Sequence, residues 1–183
     1  MERILTNRLE LIAATLELCD AEADGRNTLA AALQARVPAT WPPPVFEPDD
    51  VERVRDQLHT YPELAAWTLY YVLLRPTAGA PAAALIGIAG FVGPPTSDGV
   101  VEIGYAILPD YQRRGYATEA VHALIRQAFA DASVQRITAT TYQTLEPSIG
   151  VLQKTGFVAV NGPDHKGIIR FERSRPALAD RSA

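Results

Sequence analysis

The chain has 183 residues, of which 48% are hydrophobic, so it can bury a sizeable core and needs no second domain. Its formal net charge of −4 and sequence pI near 5.4 argue against a nucleic-acid-binding surface and fit an amine substrate only weakly. The single cysteine, Cys19, excludes an internal disulfide, and Met1-Glu2-Arg3 is not followed by an apolar signal segment, so we expect a cytoplasmic protein.

Neither a metal site nor a membrane-spanning segment is predicted. The longest apolar runs, residues 64–74 and 80–93, are too short to cross a bilayer and are separated by Arg75-Pro76. The spacing of the three histidines does not suit metal ligation. We therefore expect no metal, no nucleic acid and no membrane among the partners, and we leave monomer and homodimer open as oligomeric states.

The N-terminal region is predicted to contain one strand and two helices. The strand lies around residues 9–12, and the first helix runs from Leu16 to Ala23. Asp24-Gly25 ends that helix, and Thr28 is predicted to cap the second one. Cys19 is expected to pack rather than react, because nothing near it in sequence would stabilise a thiolate.

A proline-rich segment and a third helix follow. Residues 38–44 contain three successive prolines, which predict a stiff, extended linker. Asp49-Asp50 then begins a helix that ends by Pro62, with acidic residues in its first turn as the helix dipole favours.

Three antiparallel strands are predicted next. Residues 64–74 and 83–92 flank a loop and form a hairpin, and a second loop leads to an apolar strand over residues 100–108. Gly87 and Gly90 suggest close packing or a bulge in the second of these strands. A meander of this kind that leads into one helix is not a Rossmann series.

The segment Gln112–Ala117 is predicted to bind an anion. The strand before it has no polar alternation, and apolar residues after it recur at helical spacing, so a helix begins near Ala117 or Thr118. Amide groups without intrahelical partners, the helix dipole, the close backbone approach that Gly115 permits and the pair Arg113-Arg114 all favour a phosphate there.

The C-terminal region completes a single predicted domain over residues 1–175, with a flexible tail at 176–183. Residues 136–142 are predicted to pair parallel to the strand over 100–108, through a right-handed helical crossover. A further helix is capped at its C-terminus by Gly156, and a closing hairpin follows it.

The phosphate-binding turn matches neither the Walker pattern nor the dinucleotide fingerprint. It resembles the acyl-CoA pyrophosphate loop, Gln/Arg-x-x-Gly-x-Gly/Ala, of the GCN5-related N-acetyltransferase (GNAT) superfamily. The RimJ/RimL branch is the most similar, as judged from four segments of the sequence: Thr6–Leu9, Glu102–Tyr105, Pro109–Gln112 and Gly115–Ala120. This resemblance implies a mixed α/β fold, in which helices flank a mostly antiparallel twisted sheet with one parallel, splayed strand pair.

The resemblance implies an N-acetyltransferase that transfers an acetyl group from acetyl-CoA to a primary amine, either a protein N-terminus or a small molecule, by direct attack. The alternative is a non-catalytic module that binds acyl-CoA and regulates. The residues expected to bind the cofactor are Ile107, Gln112, Arg113, Arg114, Gly115, Tyr116, Ala117, Thr118 and Ser148. Two alternatives stay open among them, because one arginine could face only solvent and Ser148 could simply cap its helix.

Glu102 is the candidate general base. By strand parity it shares one face with Gly104 and Ala106, whose small side chains leave room for an acceptor. A carboxylate in an apolar strand is desolvated and holds protons more readily. Equally, Glu102 could lie at a solvated strand end or pair with an arginine for structural reasons.

The family pattern also marks an acceptor side and several departures. It places Trp41 beside the acceptor amine, whereas Trp41 is otherwise only part of a spacer. The usual asparagine, arginine and tyrosine of the second helix are replaced by Leu145, Gly150 and Leu152. Because the tyrosine serves as general acid in many members, no acid is assigned.

Overall fold

The computed structural model describes residues 2–44 and 48–176, so the predicted tail, apart from Pro176, lies outside the described residues. The strands and helices follow in the order β1 (Arg3–Leu5), β2 (Leu9–Ala13), α1 (Leu16–Ala23), α2 (Arg26–Leu33), α3 (Pro48–Thr60), β3 (Leu69–Leu74), β4 (Ala84–Phe91), β5 (Val100–Ile107), α4 (Tyr116–Ala130), β6 (Arg136–Tyr142), α5 (Glu146–Lys154), β7 (Val158–Ala159) and β8 (Ile168–Ser174). Two short 3-10 helices, Pro62–Trp67 and Pro109–Tyr111, precede β3 and α4.

In the described part of the chain, the strands form one eight-stranded sheet in the order β1-β2-β3-β4-β5-β6-β8-β7. All neighbouring strands are antiparallel except β5 and β6, which are parallel. The predicted mixed fold and its parallel pair are therefore confirmed. The parallel pair lies in the middle of the sheet, where the helix α4 connects its two strands.

Apolar side chains cover both faces of the sheet. One core cluster joins the sheet to α4 and α5 and contains Leu124 and Leu152. The other joins it to α1, α2 and α3 and contains Cys19 and Ala106. Cys19 is fully buried in this cluster, so the prediction that it packs is confirmed. Burial, followed by the nearby charge of Glu22, raises the pKa of its thiol to about 12, which disfavours a reactive thiolate.

Gly87 and Gly90 lie where backbones come close together. An added Cβ would be 2.2 Å from the Ala106 carbonyl oxygen at Gly87 and 2.3 Å from the Thr68 carbonyl oxygen at Gly90. The register between β3 and β4 also shifts at Val72, which indicates a bulge. Close packing is therefore confirmed at both glycines, and the bulge lies beside Gly87 and not at Gly90.

Several predicted boundaries are wrong. The strand predicted from residue 64 begins at Leu69, because Pro62 starts a 3-10 helix and a short apolar run does not distinguish helix from strand. The second helix begins at Arg26 with Gly25 as its N-cap, so Thr28 caps nothing. β1 was not predicted, since three residues are too few to show a period.

The linker around Trp41 is turned rather than extended. The Trp41 amide donates a hydrogen bond to the Pro38 carbonyl at 3.1 Å, which closes a turn before the successive prolines. Trp41 is half-buried against the core cluster that also holds α1. The successive prolines alone do not determine the backbone path of residues 38–44, because the side chain of Trp41 packs on the core and holds this segment against the domain.

Candidate active site

The predicted phosphate turn has an unusual backbone. Arg113 has φ of +60° and Gly115 has φ of +80°, so two residues of the turn lie in the left-handed region. A non-glycine residue there is uncommon and carries strain, which is typical of functional sites. A left-handed residue directly before right-handed helical residues, as Gly115 stands before Tyr116, turns successive amides toward one side and forms a concave anion site.

Helix α4 starts directly after this turn. Its N-cap, Gly115, has no side chain with which to cap the helix, and the Glu119 amide is the first with an intrahelical bond, to the Gly115 carbonyl at 3.0 Å. The amides of the first three helical residues, Tyr116, Ala117 and Thr118, therefore have no intrahelical partner. The turn predicted from the sequence is thus present at the N-terminus of a 15-residue helix.

Arg8 fastens the β1–β2 turn to the phosphate turn. Its Nε donates to Glu119 Oε2 at 2.7 Å, and its Nη1 donates to the Arg114 carbonyl at 3.0 Å. The backbone amide of Arg8 and the hydroxyl of Thr6 both donate to Glu119 Oε1, at 2.7 and 2.6 Å. Its guanidinium also lies 4.6 Å from the centre of the Tyr116 ring, a cation–π distance.

The sequence contained one signal for this contact. The segment Thr6–Leu9 resembles the first strand of the RimJ/RimL branch, but nothing in it indicates a partner more than a hundred residues later. Thr6, Arg8 and Glu119, which these hydrogen bonds join, lie along one side of the phosphate turn. Arg8 therefore fixes the turn and brings a positive charge to it, a role that the sequence did not predict.

Beyond Glu102 the two parallel strands separate. Their register runs from Val100 opposite Arg136 to Glu102 opposite Thr138 and ends there, although β5 continues to Ile107. On its other side, β5 stays paired with β4 as far as Ile107. The second half of β5 thus has one open edge, on the side of β6.

The alternation of the antiparallel ladder determines which amides face this open edge. The Val92 amide donates to the Glu102 carbonyl at 2.9 Å, and the Leu108 amide donates to the Ile86 carbonyl at 2.8 Å. Even-numbered residues of β5 therefore bond to β4. The amides that face the gap belong to the odd-numbered residues Ile103, Tyr105 and Ile107.

Gln112 connects the open edge to the phosphate turn. Its Nε2 donates to the Ile107 carbonyl at 2.8 Å, at the end of β5. The Ile107 amide remains directed to the gap, as the sequence-based hypothesis for this residue requires. The turn and the open edge therefore lie next to each other, and we call the two together the groove.

Glu102 borders this groove at the point where the strands separate. It is half-buried and accepts a hydrogen bond from the Thr140 hydroxyl at 3.2 Å. Beside it, Gly104 is exposed, and a Cβ added there would meet no atom within 4 Å. The space expected above Gly104 exists. Ala106, by contrast, is buried in the core, so the open space does not extend over it.

Ser148 does not cap its helix. Leu145 is the N-cap of α5 and makes no side-chain cap bond, and the Ser148 hydroxyl lies 3.1 Å from the Tyr105 hydroxyl. This pair joins α5 to β5 across the gap. Burial raises the pKa of Tyr105 to about 12, and the Ser148 hydrogen bond lowers it in part. Leu152, at the position of the usual acid, is fully buried in the core.

The described residues contain no group of three or more metal-ligating side chains. No helix among residues 2–44 and 48–176 is long and apolar enough to cross a membrane.

Known proteins share both the sequence pattern and the fold. A family model described as an acetyltransferase (GNAT) domain matches residues 8–158. YjdG of Bacillus subtilis strain 168, an uncharacterized N-acetyltransferase, is 38% identical over 74 residues, which are 40% of this chain and 44% of YjdG. The chain thus spans less than half the length of this curated relative.

Two solved structures show the same fold at low identity. A GNAT-family acetyltransferase from Bacillus anthracis has a TM-score of 0.62 at 18% identity, covering 94% of this chain and 98% of that chain. RimL, a ribosomal L7/L12 alpha-N-protein acetyltransferase in complex with coenzyme A, has a TM-score of 0.65 at 17% identity, with the same coverage. RimL is consistent with the predicted branch. Since the family model matches most of the chain, the protein belongs to the acetyltransferase (GNAT) domain family.

Proposed function

We propose that the protein transfers an acetyl group from acetyl-CoA to a primary amine, on a protein N-terminus or a small molecule, by direct attack. The observation that carries the proposal is the position of the Gln112–Thr118 turn next to the open edge of β5, to which the Gln112 side chain joins it. Coenzyme A is bound in the RimL structure of the same fold, which supports this choice of donor.

The residues of the groove suit the two ends of an acyl-CoA. The amides of Tyr116, Ala117 and Thr118, with Arg113 or Arg114, would hold the pyrophosphate. The Ile107 amide would donate a hydrogen bond to the pantetheine arm, which would take the place of a neighbouring strand at this open edge. Acetyl-CoA bound there would supply an acetyl group on a thioester, whose thiolate is a fair leaving group.

Glu102 would remove the proton of the attacking ammonium, directly or through a water molecule. It lies beside the open space over Gly104, and Thr140 restricts its carboxylate. Glu102 takes this first proton and leaves a neutral amine. The new carbon–nitrogen bond then forms as the carbon–sulfur bond breaks, and the nitrogen loses a second proton, which the leaving thiolate takes up directly or through a water molecule. The hydroxyls of Tyr105, on β5, and Ser148, on α5, contact each other near the same open edge.

A non-catalytic acyl-CoA-binding module is the second candidate. The position at which many family members carry an acidic tyrosine is Leu152, and it is fully buried. A regulatory module would keep the phosphate turn but have no need of a proton donor. The two candidates predict the same cofactor binding and differ in turnover.

The test measures thiol release from acetyl-CoA with a panel of N-terminal peptides and small amines, and the mass of each product. We expect at least one amine to gain an acetyl group. With that amine, Glu102→Gln is expected to lower kcat/KM at neutral pH by about 100-fold or more, because general bases contribute on this order. Its affinity for coenzyme A should stay unchanged.

A matched control is Glu172→Gln, which changes a carboxylate that already pairs with Arg136 at 3.5 Å. Turnover in this variant should equal that of the wild type. Silence across the whole panel despite tight binding of coenzyme A would favour the regulatory module. Equal turnover in Glu102→Gln would remove Glu102 from the mechanism.

A further inference from the structure

Glu22, on α1, is a half-buried carboxylate held by two neutral donors. Its Oε1 accepts from the Trp41 indole N–H at 2.8 Å, and its Oε2 accepts from the Tyr71 hydroxyl at 2.6 Å. The two rings lie 6.3 Å apart at an angle of 39°. We call these three residues the Glu22 cluster.

Among the described residues, the Glu22 carboxylate lacks an ion-pair partner. In the part of the chain that the structure describes, no lysine, arginine or histidine forms an ion pair with Glu22, whereas its neighbour Asp20 pairs with Arg55 at 2.7 Å. A carboxylate withdrawn from water without a cation is costly to the fold. Burial raises the pKa of Glu22, and the two hydrogen bonds offset part of that rise. Each carboxylate oxygen also retains capacity for another donor.

The register of the sheet places the Glu22 cluster on the acceptor side of the groove. Tyr71 lies opposite Ile88, and Ile88 lies opposite Ala106 on β5. Directly paired residues project from the same face, so Tyr71 shares the face of Glu102 and Gly104. Tyr71 and β5 are two strand spacings apart, or about 10 Å.

We propose that the Glu22 cluster binds a positively charged group of the acceptor, separate from the amine that is acetylated. The cationic group supplies the countercharge that the Glu22 carboxylate lacks, and the face of Trp41 adds a cation–π contact. The acceptor is then a molecule with two cationic nitrogens, one over Gly104 and one about two strand spacings away. This inference rests on the proposed function, since it assumes that the space over Gly104 receives an amine.

Calorimetry tests the inference without any turnover. The probes are octane-1,8-diamine, whose extended chain spans roughly two strand spacings, and 8-aminooctan-1-ol, which replaces one ammonium with a hydroxyl. Both are titrated into the protein loaded with coenzyme A at neutral pH. The wild type is expected to bind the diamine at least tenfold more tightly than the amino alcohol.

Glu22→Gln is expected to bind both probes alike, with its affinity for coenzyme A unchanged. Gln keeps the size and part of the hydrogen bonding of Glu22 while it removes the charge. Glu17→Gln, on the exposed side of the same helix, should keep the wild-type preference. Because these readouts are binding constants, a failure of acetyl transfer would not alter them.

Equal binding of the two probes by the wild type would overturn the inference. This comparison uses the wild type alone, so it does not depend on whether a variant folds. A preference for the diamine that persists in Glu22→Gln would also overturn it, because the charge responsible would then lie elsewhere.

Discussion

Gly115 has φ of +80° at the N-cap of α4, and a Cβ added there would lie 3.4 Å from the Arg8 Nη2 atom. Asp and Asn tolerate this region of φ better than other side chains, so they test charge at nearly equal backbone strain. We predict that Gly115→Asp weakens the binding of coenzyme A by about 100-fold or more, because like charges near a surface repel by a few kcal/mol.

Gly115→Asn is the matched variant, with similar size and no charge. It should weaken binding by about tenfold or less, since it adds only strain and bulk. Calorimetric titration of coenzyme A into each variant measures the difference. If Asp and Asn weaken binding equally, electrostatic repulsion of a phosphate is not the reason for the glycine, and the phosphate assignment of the turn fails.

Single residues differ in how well their surroundings could be predicted. Gly115 belongs to a local pattern, because the strand before it and the helix after it are visible in sequence. Glu22 and Arg8 bond to residues far away in the chain, and one sequence does not show which distant side chains meet. The alternative that Ser148 caps its helix is wrong for the same reason, since its partner Tyr105 lies on another element.

At the scale of elements, the bond between Arg8 and Glu119 holds the β1–β2 turn against α4. Burial by itself raises the pKa of Glu119, but the hydrogen bonds from Thr6 and Arg8, and the charge of Arg8, outweigh it and lower the pKa below 4.5. A lowered pKa in the folded state means that the stabilisation is complete above about pH 4.5 and is lost as the pH falls through the folded-state value.

We therefore predict a pH-dependent difference in stability between the wild type and Glu119→Gln. The wild type should be more stable by on the order of 1 kcal/mol above about pH 5.5, and the difference should shrink toward zero at lower pH. Denaturant unfolding from about pH 3 to pH 7 measures it, with the exposed Glu17→Gln as the control that shows no such trend. A difference that stays constant or grows on acidification would contradict this assignment.

For the whole molecule, periodicity predicted the strands and helices on either side of the turn, the helical crossover predicted the parallel pair, and the family resemblance predicted the mixed sheet. Periodicity was not enough for β1, for the 3-10 helix before β3 or for the turn at Trp41, because each depends on contacts with other parts of the chain rather than on a repeat of its own. The candidate site divides in the same way. Its proposed phosphate half is local in sequence, whereas its proposed acceptor half would combine α1, the Trp41 segment and three strands.

The central claim is that the turn and the open edge of β5 form one acyl-CoA site, and amide chemical shifts in a labelled sample test it most directly. Coenzyme A should shift the amides of Tyr116, Ala117 and Thr118, and also those of Ile103, Tyr105 and Ile107, with much smaller changes at Gly104 and Ala106. Adenosine 3′,5′-bisphosphate, which lacks the pantetheine arm, should shift the turn alone. If coenzyme A leaves the odd-numbered amides of β5 unchanged, or shifts both parities alike, the open edge does not hold the pantetheine arm.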